Sequence, residues 1–182
     1  MHALVIGGTG MLSNVSLWLA NEGFKVSVIG RNPDRMKKLI NTSEQQGHIT
    51  PLLVDYKNEI ELEEQLRIVI KENGSIDLVI AWIHSVGKNV LNVVSQELLI
   101  DNHTWRLFQV LGSSSNLKEI KIKANVADNC HYRQVQLGFI TKNNHSRWLT
   151  HEEISNGVIE AISNDKLVNI VGTIEPWEKR PY

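Results

Sequence analysis

The sequence predicts a doubly wound α/β fold of three layers, with helices on both faces of a parallel sheet of about seven strands in the order 3-2-1-4-5-6-7. Short apolar runs alternate with segments of helical periodicity over the 182 residues, which is the pattern of βαβ units. The run at residues 78–83 is apolar without interruption, as in a strand that is covered on both faces. Because crossovers between parallel strands are almost always right-handed, this strand order is the most economical one.

The alternation places the elements in chain order. Strands are predicted at residues 3–6, 25–29, 49–54, 77–83, 104–111, 132–140 and 167–171. Helices are predicted from near residue 10 to a break at residue 23, from 33 through 40, and over 58–71, 88–99 and 151–162. Asn32 before Pro33, and Thr150 with Glu153, are cap signals for two of these helices. Residues 116–130 hold either a short helix or an irregular segment, and residues 172–182 are expected to lie along the surface.

The composition is that of an ordinary globular protein. Hydrophobic residues make up 42% and charged residues 21% of the chain, and the formal net charge is −1. This balance gives no electrostatic attraction to nucleic acid or to an anionic membrane. The single cysteine, Cys130, rules out a disulfide within the chain and a cysteine-based zinc site, and the histidines lack metal-ligand spacing.

Length and hydropathy set the expected organisation. A chain of 182 residues suits one domain that spans 1–182. The sequence has neither a charged leader with a cleavage signal nor an apolar run long enough to cross a bilayer. We therefore expect a cytoplasmic protein that uses neither a membrane nor nucleic acid as a partner.

The strongest motif is the turn Gly7-Gly8-Thr9-Gly10, between the first predicted strand and the first predicted helix. Gly7 allows a tight turn, and Gly10 lets the backbone approach a pyrophosphate without a Cβ in the way. The first amides of the helix then point at the phosphates, with the positive end of the helix dipole behind them. The strand–turn–helix context favours a dinucleotide site, and the alternative is a tight turn without a ligand.

The segment from Gly7 to Ser13 resembles the TGxxGxxG loop of extended and atypical short-chain dehydrogenases/reductases. The resemblance extends over residues 1–115 and implies a Rossmann-type fold that binds a nicotinamide dinucleotide. Ser13 replaces the third glycine of the motif, and serine is small enough for close packing of helix on strand. The resemblance implies that the following residues bind the cofactor: Gly7, Thr9, Gly10, Met11, Leu12, Arg31, Asp55, Tyr56 and Trp82.

The loop after the second strand indicates NADP rather than NAD. NAD-selective sites place an acid at the end of this strand to accept a hydrogen bond from the ribose 2′-hydroxyl. Residues 25–32 contain no acid, and Arg31 stands there instead. A guanidinium suits the 2′-phosphate of NADP, while a solvated surface arginine is the alternative.

The catalytic pattern of the resembling reductases is absent. Those enzymes use a Tyr-x-x-x-Lys pair on a long helix after the fifth strand, and no such pair occurs in this sequence. The nearest match has Tyr132 with Gln136 in place of lysine, at the start of a predicted strand and so at the edge opposite the cofactor. Cys130 and His131 are adjacent in an extended segment, where their side chains point to opposite faces, which argues against a Cys–His pair.

The remaining catalytic candidates are His84, Ser85 and Ser113, together with the serines that follow Ser113. Histidine can donate a proton near neutral pH, and Ser113 matches the serine that ends the fifth strand in the resembling family. His84 and Ser113 are the two that we select. A solvated histidine and a turn serine are the ordinary alternatives.

Three functions remain open at this point. The first is an NADP-dependent oxidoreductase with an atypical active site that reduces a small carbonyl compound, with the cofactor carrying the chemistry. The second is a non-catalytic dinucleotide-binding redox sensor or regulator, and the third is a partner-binding domain that has lost the nucleotide. The resemblance also implies a homodimer or homotetramer, and Trp148 and Trp177 can line a pocket or an interface between subunits.

Overall fold

A parallel sheet of seven strands runs through the computed structural model, which describes residues 1–84, 87, 89–100, 103–142 and 145–181. Its strands are β1 (His2–Ile6), β2 (Lys25–Ile29), β3 (Ile49–Leu52), β4 (Leu78–Trp82), β5 (Trp105–Leu111), β6 (Cys130–Leu137) and β9 (Val168–Val171). Two further strands, β7 (Phe139–Lys142) and β8 (His145–Trp148), form an antiparallel hairpin. The sheet order β3-β2-β1-β4-β5-β6-β9 confirms the predicted topology.

Six α-helices occur in the described residues. They are α1 (Ser13–Asn21), α2 (Pro33–Thr42), α3 (Glu59–Asn73), α4 (Val90–Leu99), α5 (Leu117–Lys123) and α6 (His151–Asn164), with short 3-10 turns at Gln46–His48 and Trp177–Lys179. Asn32 caps α2 by accepting a hydrogen bond from the Arg35 amide at 2.9 Å. Thr150 and Glu153 form the predicted capping box of α6. None of these helices is long and apolar enough to cross a membrane.

The three layers follow from two hydrophobic clusters, one on each face of the sheet. The first cluster lies under α1, α2 and α6, and includes Leu19, Met36 and Val158. The second lies under α3 and α4, and includes Leu66 and Val94. Because the central strands are buried on both faces, their sequences are continuous apolar runs.

The predicted strand over residues 132–140 is wrong at its C-terminal end. The strand leaves the sheet at Gly138, where a Cβ would collide with the carbonyl of Thr173. Phe139 then starts the hairpin, which the sequence analysis missed. Strand β8 is polar and largely exposed, so it lacks the apolar alternation that marks the other strands.

Helix α1 also differs from the prediction. It begins at Ser13 rather than near Gly10, because residues 7–12 form successive turns. The Gly10 amide donates to the Gly7 carbonyl at 3.3 Å, and the Ser13 amide donates to the Gly10 carbonyl at 3.0 Å. The glycine-rich segment is therefore a turn in front of the helix.

Candidate functional site

The loops that follow β1, β2, β3 and β4 meet at the carboxyl edge of the sheet and enclose a cleft of about 690 Å³. We call it the main cleft. Parallel sheets bind ligands at this edge, where the strand order reverses beside β1. The main cleft is lined by Gly7, Thr9, Gly10, Met11, Ile29, Gly30, Arg31, Asn32, Pro33, Arg35, Val54, Tyr56, Trp82, His84 and His151.

The glycine turn is shaped by close contacts behind it. Gly7 has φ +86°, and a Cβ there would lie 3.2 Å from the Trp82 carbonyl oxygen. A Cβ on Gly8 would lie 2.6 Å from Ser16 Oγ and 2.8 Å from Val28 Cγ1, so this position needs glycine for packing. A Cβ on Gly10 would have its nearest neighbour at 3.9 Å, in open space on the cleft side. No role was predicted for Gly8 from the sequence, because the side chains that exclude a Cβ there include Ser16 and Val28, which are not its neighbours in the sequence.

The N-terminus of α1 is left without a side-chain cap. Leu12 stands at the N-cap position and has no side-chain acceptor, whereas asparagine or threonine caps α2, α3, α5 and α6. Helix α4 also lacks a side-chain cap. Leu12 itself is fully buried in the core, so its side chain does not line the main cleft. The turn is held from outside by Ser155 of α6, which donates to the Met11 carbonyl at 2.8 Å.

Two arginines give the outer end of the main cleft a positive charge. Arg31 Nη1 lies 3.4 Å from Asp55 Oδ2, and both side chains are well exposed to solvent. The Lys57 amide, which donates to Asp55, and the neighbouring guanidinium together hold the pKa of Asp55 below its usual value. Asp55 pairs with Arg31 but does not itself line the main cleft. Arg35, one turn into α2, does line it.

Trp82 lies where three cavities meet at the end of β4. Its ring makes an edge contact with His84, with centroids 5.9 Å apart. His84 lines the main cleft and also an open groove of about 800 Å³ between α4 and α5. Ser85, the neighbouring candidate, lies outside the described residues.

Ser113 lies on the other side of Trp82, in a smaller cavity of about 250 Å³ that we call the serine cavity. Met11 and Trp82 line both this cavity and the main cleft. The serine cavity is lined by Met11, Trp82, Gly112, Ser113, Ser114, Leu137, Gly138, Trp148, Leu149, Ile154 and Arg180. The side-chain Nε2 of Gln136 donates to the carbonyls of Ser113 and Ser115, both at 3.1 Å, and so fixes the loop of residues 112–115. His84 and Ser113 therefore face different cavities.

Comparison with known proteins agrees with this geometry. No family model matches the chain. The chain is 34% identical over 108 residues to the short-chain dehydrogenases/reductases PhomF' and PhomF of Diaporthe leptostromiformis. The match takes in 58% of this chain and 37% of those proteins, so the chain spans well under two thirds of their length. Over this stretch the chain is therefore similar to short-chain dehydrogenases/reductases.

Solved structures of dehydrogenases share the fold at low sequence identity. An alcohol dehydrogenase from the archaeon Thermococcus sibiricus, complexed with 5-hydroxy-NADP, superposes with a TM-score of 0.71 at 14% identity, covering 100% of this chain and 99% of its own. A short-chain dehydrogenase/reductase from Burkholderia phymatum, in complex with NAD, gives 0.70 at 10% identity, covering 97% of this chain and 89% of its own. The neighbours thus hold both kinds of nicotinamide dinucleotide.

Tyr132 does not line the main cleft. It is the third residue of β6, is buried in the sheet, and bonds through its hydroxyl to the side chains of Gln109 and Gln134. Burial raises the pKa of Tyr132 to about 12. Burial likewise raises the pKa of the Cys130 thiol to about 12. Neither group is suited to give or take a proton near neutral pH.

Three arginine and histidine residues that line the main cleft or the serine cavity were not predicted from the sequence. Arg35 and His151 line the main cleft, and Arg180 lines the serine cavity. Arg35 follows Asn32 by the spacing of one helical turn, which was an available signal. His151 lies at the main cleft because α6 packs on α1, and Arg180 lies at the serine cavity because the segment that contains it packs on Trp148 of the hairpin. The sequence has no local pattern for either contact. Within the described residues, no cluster of His, Cys, Asp and Glu is suited to a metal ion.

Proposed function

We propose that the chain binds NADP(H) in the main cleft and is an oxidoreductase that reduces a small carbonyl compound. One observation carries the proposal. A glycine turn in front of a helix without a side-chain cap lies in the same cleft as two arginines, one in the loop after β2 and one in the first turn of α2. When bound, the cofactor would supply the hydride.

The residues present fit a dinucleotide. Space in front of Gly10, together with the lack of a side-chain cap on α1, suits a pyrophosphate. Gly7, Thr9, Gly10 and Met11 would contact it from the turn. Trp82 and Tyr56 supply flat apolar surface on either side, at the ends of β4 and β3. Leu12 would act only through its backbone, because its side chain is buried.

The preference for NADP rests on charge at the outer end of the main cleft. Arg31 is paired with one exposed carboxylate, and Arg35 adds a second positive charge beside it. A doubly charged 2′-phosphate gains from such a pair of guanidinium groups, whereas a ribose hydroxyl does not.

The roles of the catalytic candidates are part of the same proposal. Ser113 would hydrogen-bond the substrate carbonyl from the serine cavity, which adjoins the main cleft at Met11 and Trp82. His84 would hold or donate a proton from the side of the main cleft.

A non-catalytic redox sensor is the second candidate. It is favoured by the lack of a Tyr-x-x-x-Lys pair in the sequence and by the separation of His84 and Ser113 into different cavities. Such a protein would bind the dinucleotide in the same way without turnover.

Titration of the protein with NADPH and with NADH, followed by the fluorescence of the reduced nicotinamide, tests the cofactor. NADPH should bind more tightly than NADH, and Arg31→Glu should reduce that preference by at least about tenfold, because a charge-assisted hydrogen bond is lost. Lys37→Glu makes the same charge change on an exposed position of α2 outside the main cleft and should leave the preference unchanged. Unchanged selectivity in Arg31→Glu, or no binding below millimolar concentration, contradicts the proposal.

Turnover of NADPH with a panel of aldehydes and ketones separates the enzyme from the sensor. In an enzyme, Ser113→Ala and His84→Ala should lower kcat while the affinity for NADPH stays within a few fold, as for groups that act in the transition state. Tight NADPH binding without oxidation by any carbonyl compound supports the sensor instead.

A further inference from the structure

Arg180 is the one charged side chain among the described residues that line the serine cavity. It follows the 3-10 turn at Trp177–Lys179 and reaches the cavity beside Trp148 of the hairpin. The other lining residues are apolar or neutral. They include Leu137, Leu149 and Ile154, and Ser113 and Ser114 of the loop after β5. Arg180 is therefore the group in this cavity that would attract an anion.

Two indole rings hold the guanidinium in place. Its Cζ lies 4.7 Å from the ring centroid of Trp177 and 5.1 Å from that of Trp148. These cation–π contacts fix the orientation of the group but use none of its hydrogen-bond donors. A side chain that is already ordered loses less entropy when a ligand binds to it.

Among the described residues, no acceptor forms a hydrogen bond with the side chain of Arg180. Its Nε is buried and has no hydrogen-bond partner, and none of the carboxylates in the described ranges, which end at residue 181, forms an ion pair with it. The neighbouring Arg147, by contrast, is paired with Glu153 at 2.7 Å. A buried donor without a partner is unfavourable, and an incoming acceptor would remove that penalty.

We propose that the serine cavity binds a small organic carboxylate, with the carboxylate group held by Arg180 and the carbon body packed on Leu137, Leu149 and Ile154. The fork of a guanidinium matches the two oxygens of a carboxylate. A volume of about 250 Å³ is below the roughly 300–1,000 Å³ of sites for drug-sized ligands, which limits the ligand to a short or single-ring acid.

This inference deepens the proposed function and rests on it for the chemistry, since it identifies the substrate as an oxo acid. The carbonyl carbon of the acid would accept a hydride from NADPH, and its oxygen would accept a proton that comes from water. The C=O double bond thereby becomes a C–O single bond, the oxo acid becomes a hydroxy acid, and NADPH is oxidised to NADP⁺. Ser113 lines the same cavity and would lie on the carbonyl side of the substrate.

Calorimetric titration with benzoylformate and with its uncharged methyl ester tests the inference without relying on turnover. The two probes share the phenyl ring and the ketone, and they differ in the charge and in one methyl group. We expect the acid to bind at least about tenfold more tightly than the ester, as for a hydrogen-bonded charge. Arg180→Met, which keeps an unbranched apolar stem but removes the charge, should make the two affinities equal, and Arg180→Lys should retain part of the preference.

Arg147→Met is the matched control, because this arginine lies on the hairpin next to Trp148, is already paired, and does not line the serine cavity. It should leave the preference for the acid unchanged. Equal affinity of the acid and the ester for the unmodified protein overturns the inference. An unchanged preference in an Arg180→Met variant that retains its thermal unfolding transition overturns it as well.

NADPH titration of the same proteins separates the two proposals. If NADPH binds and the acid shows no preference over the ester, the carboxylate site is wrong and the proposed function stands. If the acid binds through Arg180 and NADPH does not bind, the proposed function fails and the carboxylate site stands.

Discussion

At the scale of single residues, the glycine turn shows that neighbouring glycines can serve different purposes. Gly8 is enclosed by Ser16, Val28 and Val5, the side chains that pack β1, β2 and α1 together. Gly10 faces open space on the side of the main cleft. Packing therefore excludes a side chain at Gly8, whereas only a ligand would exclude one at Gly10.

Alanine substitutions at these two glycines should separate stability from binding. Gly8→Ala should lower the free energy of unfolding by about 1–3 kcal/mol, the usual effect of overpacking. Gly10→Ala should leave it within about 0.5 kcal/mol but weaken NADPH binding by about tenfold, which is about 1.4 kcal/mol. Urea unfolding and NADPH titration measure the two effects. A stable Gly8→Ala protein, or a Gly10→Ala protein with full affinity, would contradict the assignment.

Cys130, which is half-buried, should behave as an unreactive structural thiol. Its pKa is raised to about 12 by burial, and a thiol reacts through its thiolate. We expect a thiol-specific disulfide reagent to label the folded protein slowly at pH 8 and the urea-unfolded protein rapidly. Fast labelling of the folded protein would show that the thiol is reactive and would contradict this prediction.

At the scale of elements, α6 supports the glycine turn from the far end of the chain. Its N-terminus is fixed by the capping box, and its residue Ser155 donates to the Met11 carbonyl. Helices α1 and α6 lie side by side over the first hydrophobic cluster, which also contains Val15 and Val158. The shape of the turn therefore depends on a helix that contributes no residue to the motif.

Loss of the Ser155 hydrogen bond should affect both folding and ligand binding. Ser155→Ala should reduce the free energy of unfolding by about 1 kcal/mol or more, because it leaves the Met11 carbonyl without this donor. It should also weaken NADPH binding, since the turn loses its support. Ser163→Ala removes an exposed hydroxyl of the same helix, which donates to Ile159, and should change neither quantity beyond about 0.5 kcal/mol. Equal effects of the two variants would remove the supporting role of Ser155.

At the scale of the whole molecule, a buried histidine links the strands at the amino edge of the sheet. His2 lies at the start of β1, with Nδ1 2.7 Å from the Gly74 carbonyl after α3 and Nε2 2.8 Å from the Ser27 hydroxyl of β2. Both ring nitrogens have partners in the neutral form, with Nδ1 as donor and Nε2 as acceptor. Desolvation by burial lowers the pKa of His2 below 6.5.

The stability of the fold should therefore decrease as the pH falls below about 6.5, because the unfolded chain takes up a proton at His2 and the folded chain resists it. Urea unfolding at pH values from 5 to 8 measures this dependence. His2→Gln should flatten the profile, even though it lowers stability at every pH. His131→Gln, at an exposed position of β6, should leave the His2-dependent difference in place. Parallel profiles for the unmodified and His2→Gln proteins would contradict the account.

Local signals in the sequence predicted most strand positions, the caps at Asn32 and Thr150, and the turn from Gly7 to Gly10. The sheet order was predicted from the right-handedness of crossovers. Those signals are local because a tight turn, a cap and a run buried on both faces each need particular residues at one place in the chain. The β7–β8 hairpin was missed because its exposed strand carries no apolar alternation. The start of α1 was predicted too early. The turns at residues 7–12 lead directly into the helix, and the sequence does not mark where the turns end.

The sequence by itself determined that a parallel sheet carries a glycine turn at its carboxyl edge, and that an arginine rather than an acid follows β2. Only the tertiary structure decided what surrounds that turn. Ser155 meets Met11 across 144 positions of sequence, Arg180 reaches Trp148, and Trp82 separates His84 from Ser113. These contacts depend on how α6, the hairpin and the chain end pack on the sheet. Packing between distant segments leaves no periodic pattern in the sequence of either segment.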